Sequence, residues 1–79
     1  MDIKKPEFSL ENYLKAARDS VAVINEAVTK NDKSDESKDM VKRNVDHLKI
    51  VVANEEVKKA NPDISDINSA ITSGDNFLK

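Results

Sequence analysis

A chain of 79 residues with 38% apolar and 35% charged residues is one domain with a thin core. A formal charge of -2 with no long run of one sign argues against a dedicated nucleic-acid binder, whose affinity rests on neutralising phosphates. The absence of cysteine excludes disulfides and thiolate metal sites, and no apolar run approaches the roughly 20 residues that span a bilayer.

One glycine and two prolines leave few helix breakers, so the expected class is all-α. At the start, "MDIKKPEFSLENY" lacks the apolar stretch of a secretory signal, and the expected location is cytoplasmic. Ser9 reads as a helix N-cap, with Pro6 upstream of it. Phe8 and Tyr13 stand at the positions of a hydrophobic staple. From there Leu10, Leu14, Ala17, Val21, Ile24 and Val28 recur at steps of four and three, which predicts a helix over about residues 10–29. A second row on this helix, Ala16, Ser20, Val23 and Ala27, is small enough to let another helix approach.

The polar stretch "TKNDKSDES" reads as a short loop that turns the chain into an antiparallel hairpin. Ser34 or Asp35 begins the next helix, and the acids Asp35 and Glu36 suit its positive end. Val41, Val45, Leu48 and Val52 form its buried stripe, flanked by Met40 and Val51. Asn54 is either a new cap or part of a continued helix. The expected segment is residues 35–60, with a possible break near Ala53. Asn61 before Pro62 stops it, because a residue preceding proline disfavours helical geometry. Asp63 reads as the cap of a third helix carrying Ile64, Ile67 and Ile71, expected over residues 65–73. Gly74 there is either the helix end or a close-packing point, and the tail holds Phe77 and Leu78. The fold expected is a small three-helix bundle: an antiparallel helical hairpin crossed by a shorter third helix.

"HLKIVVANEEV" fits one buried stripe poorly. On a continuous helix Ile50 and Val57 would fall roughly opposite Leu48 and Val45, at about 100° per residue. Either Ile50 and Val57 join the core of the bundle through a bend near Ala53, or, together with the second row of the first helix, some of Val23, Ala27, Ile50 and Val57 are contacts for another protein chain, a second copy or a different protein. The alternative is a nucleic-acid-associated regulator using the basic patch of Lys38, Lys42, Arg43 and Lys49. That patch is interleaved with Asp39 and Asp46, and aromatic residues make up only 4% of the chain, too few for base stacking.

No catalytic set can be named. His47 is the only histidine, and its neighbour Asp46 cannot face it within a helix. "NDKSDESKD" lacks the glycine and spacing of a calcium loop. The expectation is a non-enzymatic interaction or assembly protein with no cofactor, no metal and no membrane contact, with the nucleic-acid-associated regulator as the alternative.

The second half, "RNVDHLKIVVANEEV" followed by "PDISDINSAITSGDNFL", resembles the ends of short helical proteins encoded by tailed bacteriophages. That resemblance implies a viral origin and a role as a virion component, or as an adaptor or inhibitor of a host protein. It transfers no site residue.

Overall fold

The computed structural model describes residues 9–79, so Pro6 and the proposed partner of Tyr13 in the staple, Phe8, lie outside the described residues. Four helices follow one another: α1 (Leu10–Lys30), α2 (Asp35–Ala53), α3 (Glu55–Ala60) and α4 (Ser65–Phe77). The architecture is a small all-helical bundle in which α1, α2 and α4 each pack against the other two.

Local chemistry sets the boundaries. The Ser9 hydroxyl accepts from the Asn12 N–H at 3.3 Å and opens α1. Asn31 ends it in the left-handed region at φ 52°, a conformation asparagine tolerates better than most residues. The Asn31 N–H then donates to the Val28 carbonyl at 3.1 Å. Ser34 caps α2 by accepting from Ser37 N–H at 3.2 Å. Asn61 closes α3 in the same left-handed way as Asn31, at φ 48°. Asp63 starts α4 from one position further out than a regular cap. Its Oδ1 accepts from the Ser65 N–H at 3.1 Å and from the Ser65 hydroxyl at 2.7 Å, while Ile64 occupies the cap position without a side-chain bond.

Cross-helix contacts fix the directions. Tyr13 near the start of α1 meets Asn54 at the end of α2, whose amide donates to the tyrosine hydroxyl at 3.5 Å. The hairpin is therefore antiparallel. Arg18 reaches Asp66 at 3.2 Å, and Lys33, just past α1, reaches the carbonyl of Phe77 at 2.6 Å. Those two contacts run α4 parallel to α1 and antiparallel to α2.

The core is one cluster with contributions from all four helices: Leu14, Ala17, Val21, Ile24 and Ala27; Val41, Val45, Leu48 and Val51; Val57; Ile67, Ala70 and Phe77. Leu14, Ala17, Val21 and Ile24 of α1 and Val41, Val45 and Leu48 of α2 are buried as their spacing predicts, whereas Leu10, Val28 and Val52 are half-buried and Ala27 and Val51 are buried in their stead. The segment over 35–60 is two helices, broken at Asn54, where the sequence offered a possible break near Ala53. One boundary differs from expectation. The last helix does not end at Ser73 but continues to Phe77, because Gly74 is a buried packing point inside it and not a C-terminal cap.

Candidate protein-interaction surface

The break at Asn54 decides which side chains of the opening-out region reach solvent. Asn54 takes φ -65° and ψ 130°, an extended geometry that ends α2. Its side-chain oxygen then accepts from the N–H groups of Glu56 at 2.8 Å and Val57 at 3.3 Å, starting α3. The helical phase restarts at this point. Val57, half a turn from Leu48 on an unbroken helix, turns into the core and is 1% exposed. Its assignment as a partner contact is corrected accordingly. Ala27 is corrected as well: at 4% exposure it is closed off within the bundle.

Ile50 lies on α2 before the break and keeps the phase of that helix. It is 65% exposed, and with Met40 at 41% it completes the large apolar side chains that the described residues show to solvent. Val23 is half-buried. It shares an open depression of about 350 Å³ with Met40, Ser37 and the charged residues Glu26, Lys30 and Asp32, and the little of Ala27 that is exposed lines it too. Of the four expected contacts the structure thus offers Val23 and Ile50, and it adds Met40. Met40 stood in the sequence as a flank of the buried stripe. The signal that it turns outward is its polar company at Asp39 and Arg43, which share its part of α2.

The rim of this depression is charged and internally paired. Lys30 donates to Glu26 at 2.8 Å, holding that carboxyl below its ordinary range and lifting the lysine above its own. Asp32 accepts from the Ser37 hydroxyl at 2.7 Å and from the Ser34 N–H at 3.0 Å, and these bonds lower its pKa. With its carboxylate already bonded to the loop, Asp32 is a cap and turn residue here rather than a ligand in waiting. A small-molecule site is a largely apolar cleft with a few converging polar groups. In this depression the polar groups do not converge on the open space but are bonded to one another, Lys30 to Glu26 and Ser37 to Asp32.

The basic patch divides. Lys38, Lys42 and Lys49 line a second depression between α2 and α4, alongside Asp39, Asp46 and Asp75. Lys49 pairs with Asp75 at 3.3 Å. Arg43 lies outside that depression and pairs with Asp39 at 3.0 Å. Three lysines among three aspartates leave little net field to hold a phosphate backbone. Among the described residues no group of three or more His, Cys, Asp or Glu is placed to hold a metal, and no helix is long and apolar enough to cross a membrane.

Comparison with known protein families, with curated proteins and with solved structures finds no match for this chain.

Proposed function

We propose that this protein is a non-enzymatic protein-interaction module that meets its partner through the outer side of α2 and the adjoining α1–α2 depression. The observation that carries the reading is Ile50: a large aliphatic side chain, 65% exposed on a regular helix, while Ile24, Ile64, Ile67 and Ile71 are buried wholly or in part. Met40 extends the apolar surface toward Val23, and methionine adapts its shape to a partner at little cost. The paired charges around them, Glu26 with Lys30 and Asp39 with Arg43, form the polar rim that excludes water from such contacts and orients them. We place the partner among virion or host proteins, on the resemblance of the second half to phage-encoded helical proteins.

The test is site-specific photo-crosslinking in the source cells. A crosslinker at Ile50 or Met40 is expected to give a discrete protein adduct. The same group at Thr72, exposed on α4, is expected to give none. Equal or absent adducts at all three positions would remove the reading, as would duplex DNA binding that falls steeply with salt.

A further inference from the structure

The exposed side of α2 is complementary to itself. Met40, Arg43, His47 and Ile50 follow one another at steps of three, four and three, so they form one row along the helix. The row is apolar at each end and polar in the middle, with Asp46 beside His47. Turned end for end about a two-fold axis through position 45, it lays Met40 on Ile50 of a copy and Ile50 on Met40 of that copy. Arg43 then falls next to His47 and Asp46 of the copy. Self-complementary patches of this kind are what a two-fold interface requires, since each contact must occur twice.

We propose that the occupant of this surface is a second copy of the chain, paired antiparallel through α2, an inference that rests on the interaction reading above. Two observations favour a copy over an unrelated protein. Met40 and Ile50 are the two exposed large apolar side chains among the described residues, and the two-fold pairing covers both with each other. Arg43 is bonded on one side to its own Asp39 and is 79% exposed in its side chain, which leaves guanidinium donors for the copy's Asp46. A face one helix wide is smaller than the roughly 800 Å² per partner of a stable complex. The dimer is therefore weak.

Sedimentation velocity from 5 μM to 1 mM tests this, with the wild-type chain expected to pass from monomer to dimer. Ile50→Asp is expected to raise the dissociation constant at least tenfold with unchanged helicity, since the side chain is already in water. Arg43→Asp and Asp46→Arg should each weaken association, and the double variant should recover it. Because the chain has no cysteine, register can be read directly. Met40→Cys mixed with Ile50→Cys and oxidised should give the mixed disulfide in excess over both like-with-like products. A chain monomeric to 1 mM, an Ile50→Asp dimer as tight as wild type, or a random disulfide distribution would overturn the proposal. A monomer that still crosslinks to a different protein through Ile50 would overturn the second copy alone and leave the interaction reading standing. A monomer without crosslinks would remove both.

Discussion

Gly74 of α4 presses its backbone against Val45 of α2 so closely that a Cβ added at Gly74 would overlap the Val45 Cγ2 methyl. The same added atom would sit 3.4 Å from Ile24 Cγ2 and 3.5 Å from Val41 Cγ1, in ordinary contact. α1, α2 and α4 therefore converge on one point, and the absence of a side chain there sets how near α4 can come.

Gly74→Ala should destabilise the fold. Alanine gains about 1 kcal/mol of helix propensity over glycine. Against this, Val45 is 1% exposed and stiff at χ1, so it cannot swing aside, and overpacking costs about 1–3 kcal/mol. A net loss of about 1 kcal/mol is expected in urea titration followed by circular dichroism. Val45→Ala in the same chain should recover part of the Gly74→Ala penalty, because it removes the methyl that clashes.

Val57 and Ile50 should respond oppositely to truncation. Val57→Ala opens a cavity in the core and is expected to cost about 1–3 kcal/mol. Ile50→Ala removes an exposed side chain and should stay within about 0.5 kcal/mol of wild type. Thermal melts of the two variants at low concentration, where association is absent, are the check. Similar losses at both positions would mean that α2 continues through Asn54.

Asn54→Ala removes the cap that starts α3, with an expected cost of about 1 kcal/mol. Alanine also permits α2 to run on, which would rotate Val57 away from the core. Hydrogen exchange should therefore report faster exchange at Glu56 and Val57, whose N–H groups lose their acceptor. Asn54→Asp, which keeps that acceptor, should protect them.

Lys33 clamps the end of α4. Its ammonium donates to the Phe77 carbonyl at 2.6 Å and lies 3.9 Å from the centre of the Phe77 ring. Lys33→Met keeps the aliphatic stem and loses both contacts. Exchange at the last turn of α4 should rise, with α1 and α2 unchanged and a stability loss of about 0.5–1.5 kcal/mol.

Acid should loosen the turns first. Asp32 is held below the ordinary carboxylate value by the Ser37 hydroxyl and the Ser34 N–H, and Asp63 by the hydroxyl and N–H of Ser65. A carboxylate whose pKa is lowered by folding stabilises the fold above the unfolded pKa, and that contribution disappears as pH falls through the folded one. Both groups are fully exposed, so the effect is small. Melting temperature should be flat from pH 7 to about 5 and decline below about pH 4. Asp32→Asn should make that decline shallower.

The helical class, most of the buried stripes of α1 and α2, and the serine caps at Ser9 and Ser34 were legible in the amino-acid sequence. Each rests on interactions within a few residues of chain: apolar spacing, a hydroxyl meeting an N–H three positions on, polar turn residues between helices. Spacing did not separate Val51 from Val52, of which Val51 is buried and Val52 half-buried, nor did it decide between core and solvent for Ile50, which stays exposed because it lies before the break at Asn54. The fates of Val57 and Gly74 were decided only by tertiary structure. Asn54 is locally compatible with either a cap or a continued helix. The core admits Val57 only when the phase restarts. Gly74 is locally compatible with a helix end or with a packing point, and α4 runs on to Phe77 with the bare backbone of Gly74 closed against Val45. Ala27 carries the same lesson: a small residue permits close approach, but whether its own chain or another fills the space depends on how the helices come together.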